Sequence, residues 1–499
     1  MFRKLKNRLK NYLLKLVLIL VWGGACYWFF QSQYEYHFFY QEQNQLFLMD
    51  WEYVWSYMDK PAWLGCLIGD FLTQFYYYLY AGAAILTITL LLLGDQLRQS
   101  LDYVFKGLKS KTLFGWISFT IAIAVITVLA RLSLYEGYRL SSIICVIGVC
   151  ILYNFRCTML WMTKNKVQPL TLIAFYLLAL WMFGYMANLM SIFELMRISC
   201  LCCQKKAKTW ALIPIMFIAF ASIIGSDYYA SSYNQTRDEA VLYPAKYKWV
   251  DWESEKILEK NFKYDNEYYF GHYSKVIAMY EDELRNSKEK ESTMTEEMCF
   301  FYCLSLAQQD MLPDKLMTME SPILGTFYKI GEDTPLYTIK MINELYYLLG
   351  DMTYAERAAL LANTFSPNGR NVRMIKRLAE ANLVNGDCEA ASKYLRLLEK
   401  TLVYKDWAKD RKPGAMAREV KAEIERKNAF INKTDKIRIG DDCYTILTQL
   451  LDSNPNNTIA LDYLLCSDII ARQKDLFMKD YETYGPRMKP LYQQALSME

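Results

Sequence analysis

The alternation of apolar and polar positions changes character once, near residue 225. Before that point the chain is built of apolar runs about as long as a bilayer is thick, separated by short polar stretches. After it, apolar residues recur with a helical period among many charges. The pattern predicts an all-α chain: a polytopic transmembrane helix bundle over residues 1–225, a polar linker over 226–256, and a helical-repeat domain over 257–499.

The first run follows Arg3, Lys4, Lys6, Arg8, Lys10 and Lys15 and ends in Trp28, Phe29 and Phe30. Small residues suited to a cleavage site are missing there, so it reads as an uncleaved first span with its N-terminus in the cytoplasm. Further runs lie at 75–93, 113–132, 140–155, 170–190 and 210–225. Basic loops at 98–111, 156–166 and 197–208 conflict if 170–190 is one ordinary span, because the last two then face opposite sides. A hairpin over 170–198, breaking near Gly184, puts every basic loop in the cytoplasm and sends the C-terminal domain outside. Its 29 residues are too few for two full spans, so this hairpin would be re-entrant. The five cysteines of the second half point the other way, toward a reducing compartment.

The loop between the first two runs is acidic and aromatic. Glu35, Glu42, Asp50, Glu52, Asp59 and Asp70 alternate with rings such as Tyr34, Tyr40, Trp51, Tyr53 and Trp55. Such a stretch suits an amphipathic helix lying on the membrane surface. A sharper expectation is a site, with Asp50, Glu52 and Glu35 as the carboxylates that hold a divalent ion or act as a general base.

In the second half, Gly271-His272-Tyr273 precedes Val276 and Tyr280, and Gly350-Asp351 precedes Ala355, Ala362 and Pro367. Gly386-Asp387, with Ala391 and Leu398, follows 36 residues later. A glycine turn followed by small residues lets two helices pack closely, and one such pair cannot bury its apolar face alone. The spacing resembles tetratricopeptide repeats over about 257–484, clearly at Gly350 and Gly386 and loosely elsewhere. That resemblance implies a concave groove for a peptide or partner helix, without fixing which residues line it.

Two wider resemblances follow. Phe39-Tyr40-Gln41-Glu42-Gln43 with Gln45 and Phe47, Gly69-Asp70-Phe71-Leu72-Thr73-Gln74 entering the next run, and the closing Leu491-Tyr492-Gln493-Gln494-Ala495-Leu496 resemble an uncharacterised family of bacterial multi-pass inner-membrane proteins. The chain is also distantly similar to membrane glycosyltransferases that use lipid-linked sugars, which place an acidic outer loop after the first span. That likeness implies a catalytic carboxylate among Glu35, Asp50 and Glu52, although fewer apolar runs and no acidic pair at the end of the first span set this chain apart.

Composition narrows the chemistry. A net charge of +4 without a basic tract excludes a nucleic-acid partner. Two histidines, His37 and His272, give no basis for a Ser–His–acid triad or a zinc helix, and no phosphate-cradling glycine loop is present. Thirteen unevenly spaced cysteines suggest neither a disulfide framework nor a metal site, and no cofactor is implied. The expectation is therefore a non-enzymatic scaffold of the bacterial inner membrane, contacting the lipid bilayer and recruiting a protein or peptide through its repeats. The alternative is a lipid-linked glycosyl or phospho-sugar transferase using the acidic outer loop.

Overall fold

The computed structural model describes residues 2–59, 61–105, 140–162, 168–204, 210, 212–231, 252–287, 294–319, 324, 330–366, 369–434 and 442–497. These are all helix, turn and loop, with no strand among them. The apolar run at 113–132, most of the linker, Lys60 and Pro367 lie outside the described residues. The chain divides into two compact units, and the division is not a single cut. Residues 1–39 and 49–255 form the first, and residues 40–48 join 256–499 in the second.

In the first unit, α1 (Phe2–Gln33), α2 (Glu35–Gln43, whose last turn enters the second unit), α3 (Trp51–Trp55), α4 (Trp63–Thr73) and α5 (Ala81–Val104) are followed by α6 (Leu140–Met162), α7 (Gln168–Phe183), α8 (Asn188–Cys203) and α9 (Leu212–Ser231). Four stretches are long and apolar enough to cross a membrane: Leu16–Gln33, Ala81–Val104, Leu140–Leu160 and Leu170–Cys203. Small residues set the close approaches. Gly65 and Gly69 of α4 lie directly against Cys145 and Ser141 of α6, where any Cβ would collide.

The last of the four apolar stretches is not one rod. Gly184, at φ +61°, opens a 3-10 turn, Gly184–Ala187, between α7 and α8. Tyr176 Oη donates to Asn188 Oδ1 at 3.1 Å, across 12 residues that a continuous helix would spread over about 18 Å. The chain has therefore doubled back. Ring contacts agree: Phe155 of α6 meets Phe175 of α7, and Tyr153 of α6 meets Phe193 of α8.

In the second unit, helices come in pairs: α10 (Trp252–Tyr269, starting in the first unit) with α11 (Tyr273–Ser287), α12 (Glu296–Gln308) with the single turn α13 (Leu312–Lys315), α14 (Leu336–Leu349) with α15 (Met352–Phe365), and α16 (Val372–Asn385) with α17 (Cys388–Glu399). Then come α18 (Lys405–Asp410), α19 (Arg418–Asn428), α20 (Cys443–Ser453), α21 (Thr458–Ile470), α22 (Lys474–Tyr484) and α23 (Pro490–Ser497).

The Gly-Asp dipeptides show why two of these pairs form. Gly350 and Gly386 end α14 and α16 in the left-handed conformation, at φ 81° and 84°. The next residue, Asp351 or Asp387, caps the following helix, its carboxylate accepting from the backbone N–H of Tyr354 or Ala390 at 3.1 and 3.0 Å. Gly271 makes the same reversal between α10 and α11 at φ 76°, and the His272 ring there bonds back to Glu267 at 2.8 Å. Ala355, Ala358, Ala359 and Ala362 line one fully buried face of α15, and Ala391 is buried in α17. Their small volume is what lets neighbouring helices close.

Candidate functional site

The richest polar constellation lies in the second unit, where residues 40–48 run across α10, α14 and α16, the first helices of three pairs. After the last turn of α2 the segment leaves helical geometry at Asn44 and continues without regular structure to Asp50. Tyr40 stacks on Phe262 of α10 at 4.1 Å and 18°, with the Lys340 ammonium of α14 4.4 Å from its ring centre. Gln43 Oε1 accepts from Arg373 Nη1 at 3.1 Å. Asn44 Oδ1 accepts from Lys340 Nζ and, at 3.2 Å, from Asn371 Nδ2. The Gln45 carbonyl accepts from the Val372 N–H at 3.2 Å, which satisfies one of the first-turn donors that a helix leaves without an internal partner. Leu46, Phe47 and Leu48 are each only 5% exposed.

Beneath the segment is a buried charge network. Arg373 makes a bidentate pair with Asp265 and also reaches Glu344 at 2.9 Å. Arg377 reaches the other oxygen of Glu344 at 2.6 Å. The two guanidiniums hold the Glu344 carboxyl below the usual range against burial that pushes it up. Two guanidiniums thus face three carboxylates, Asp265, Glu344 and, 3.1 Å from Arg377 Nη1, Glu380, so every charge in the cluster has an opposite partner within it.

Two groups at the segment behave differently. Glu42 is buried, its carboxylate oxygens taking the Tyr404 hydroxyl at 2.8 and 2.7 Å. Burial raises its pKa to about 8, opposed by the Tyr404 hydrogen bond and by the Lys376 charge. Lys340 is lowered to about 7 by burial and by the charge of Arg373. Lys376 itself stands among aromatic rings, 4.8 Å from the centres of Tyr269 and Trp407 and 5.3 Å from Tyr404.

The carboxylates singled out from sequence lie elsewhere. Asp50 sits at the N-cap of α3 with no side-chain cap bond, and Glu52 is exposed in its first turn beside Trp51 and Trp55, whose rings lie 6.4 Å apart. Glu35 opens α2. The structure brings Asp50 and Glu52 to one helix start and leaves Glu35 at another. Among the described residues no cluster of three His, Cys, Asp or Glu could hold a metal ion. Sequence reading missed Gln43, Asn44, Lys340 and Arg373, whose partners lie hundreds of positions away or inside ordinary-looking helices.

A second buried cluster occupies the first unit. Glu194 of α8, fully buried, bonds Arg156 of α6 at 3.0 Å and Arg197 at 2.6 Å. Asn188 and Ser191 of α8 bond Ser226 and Ser222 of α9, at 3.0 and 3.2 Å. These contacts tie α6, α8 and α9 together where apolar packing alone is not directional.

Residues 10–498, nearly the whole chain, match the family of unknown function DUF6057. The chain belongs to this family. Comparison with curated proteins finds no match, and neither does comparison with solved structures. The match spans residues of both units, and the function of the family is unknown.

Proposed function

We propose that this DUF6057 protein is a membrane-anchored scaffold of the bacterial envelope, whose second unit is a tetratricopeptide-like solenoid that positions a partner. The observation that carries this reading is residues 40–48, held by side chains of α10, α14 and the start of α16. Holding an extended peptide on that face is what a tetratricopeptide-like stack is suited to do. The sequence order adds a topological argument. Residues 40–48 follow the first apolar helix and precede the next, so the repeats stand on the side to which that first helix delivers the chain. With the basic N-terminus inside, that side is extracytoplasmic. A re-entrant hairpin of α7 and α8 is consistent with this orientation. Three of the five cysteines in the second unit, Cys299, Cys303 and Cys466, are buried, and burial shields a thiol from oxidation.

The test is site-specific cross-linking of the full chain in its native membrane. The scaffold reading expects a defined neighbour whose yield falls with Lys376→Ala and is unchanged by Asp50→Asn with Glu52→Gln. Loss with the acidic pair and not with Lys376→Ala would instead favour a transferase acting through the outer loop. A pattern with no defined neighbour overturns the scaffold reading.

A further inference from the structure

We propose that the face of α10, α14 and α16 is a peptide-binding site, and that residues 40–48 are its resident, displaceable ligand. The partner it fits is an extended segment of another protein that repeats the resident's chemistry: two adjacent carboxamides, one spacer, then three apolar residues. This deepens the scaffold reading by naming the surface and what it recognises.

Three observations carry it. First, recognition is in register, by side chains at Gln43 and Asn44 and by backbone at Gln45. Gln43 is read by Arg373, Asn44 by Lys340 and Asn371, and the Gln45 carbonyl by the first N–H of α16, before Leu46, Phe47 and Leu48 are buried. Second, the helices beneath close without the segment. Arg373, Arg377, Asp265 and Glu344 are already paired among themselves, so removing the resident leaves no unpaired guanidinium or carboxylate in that cluster. Third, the resident is an imperfect ligand. Gln43 Nε2 is buried with no acceptor among the described residues. Glu42 is buried against its preference to ionise, and the Lys340 ammonium is likewise disfavoured. An unmet buried donor costs about 1–3 kcal/mol, so a competitor that meets it gains affinity over the resident. The segment is bounded by Phe39 and Met49 of the first unit, and only its first four residues are helical, the last turn of α2, so it leaves by unwinding that one turn.

The experiment uses the full chain in lipid nanodiscs, which expose both membrane faces and make the result independent of orientation. The probe is a fluorescent peptide of residues 40–48, Tyr-Gln-Glu-Gln-Asn-Gln-Leu-Phe-Leu. Leu46→Asp with Leu48→Asp expels the resident, and Gln43→Ala with Asn44→Ala weakens it more gently. Both opened variants are expected to bind the peptide at least about ten-fold tighter than the wild type, and adding Lys340→Met is expected to cost about ten-fold. Should the aspartate pair lose helical content, the alanine pair decides. Binding no tighter than wild type in a helical opened variant, or tight binding indifferent to Lys340→Met, overturns the proposal. Neither result alters the cross-linking test of the scaffold itself.

Discussion

Arg373 and Asp265, 108 residues apart, meet in a two-pronged pair, Nη1 to Oδ2 at 2.9 Å and Nη2 to Oδ1 at 2.8 Å, with both side chains 2% exposed. The pair joins α10 to α16, the first and last of the helices that touch residues 40–48. Removing one member leaves the other charge buried, which typically costs about 3–5 kcal/mol. Arg373→Ala is expected to lower the stability of the second unit by that amount. Arg373→Lys should fall between, because an ammonium cannot form the fork. Denaturant titration of the full chain in detergent, followed by circular dichroism, checks this, and a change below about 1 kcal/mol for the alanine variant would contradict it.

The docked segment should show an unusual pH profile. Glu42 has its folded pKa raised from 4.5 to about 8, so its contribution is complete below 4.5 and is lost as pH rises through 8. Lys340 has its pKa lowered from 10.5 to about 7, so its contribution is complete above 10.5 and is lost as pH falls through 7. Together they place the weakest docking between about pH 7 and 8, with tightening on either side. Protection of the residue 40–48 amides, measured against their intrinsic exchange rate at each pH, should be lowest in that window. Glu42→Gln removes the acid limb and Lys340→Met the alkaline limb. A flat profile in the wild type would count against the arrangement.

Two turn glycines separate strain from collision. Gly350 and Gly386 have nearly equal φ, 81° and 84°. A Cβ at Gly386 meets nothing within 4 Å, whereas one at Gly350 runs into the Phe430 carbonyl. Gly386→Ala should cost about 1–2 kcal/mol for the left-handed conformation alone. Gly350→Ala should cost clearly more, since backbone must move as well. Equal losses in thermal unfolding of the two variants would refute the packing of residue 430 against that turn.

The all-helical class was legible because the apolar runs and the Gly-Asp turns are local signals. Gly350 needs a left-handed conformation and Asp351 needs a helix start, and both needs are met by adjacent residues. The destination of residues 40–48 was not legible. Tyr40, Glu42 and Phe47 look like members of an interfacial aromatic and acidic loop, and their partners Phe262 and Tyr404 lie more than 200 and 300 positions away. Likewise Glu194 and Arg197 show their helical spacing in the sequence, while Arg156, the third member, comes from another helix.

That third member gives a further expectation. Glu194→Leu removes the carboxylate that Arg156 and Arg197 share, whereas Arg156→Leu leaves Glu194 still paired with Arg197. The glutamate variant should lose several-fold more folded protein in detergent size-exclusion than the arginine variant, because an uncompensated charge among apolar helices is expensive. The reverse order would show that Arg156 does more than neutralise.

Residues 40–48 dock on helices of the second unit, and the extracytoplasmic side proposed above for that unit rests on this docking. Paired C-terminal fusions of the full chain, one reporter active only outside the cytoplasm and one active only inside, test it most directly. Activity is expected from the outside reporter alone, unchanged by Glu42→Gln. Activity from the inside reporter, with the basic N-terminus also inside, would put the bilayer between residue 40 and its partners and rule out the docking of residues 40–48 on the second unit.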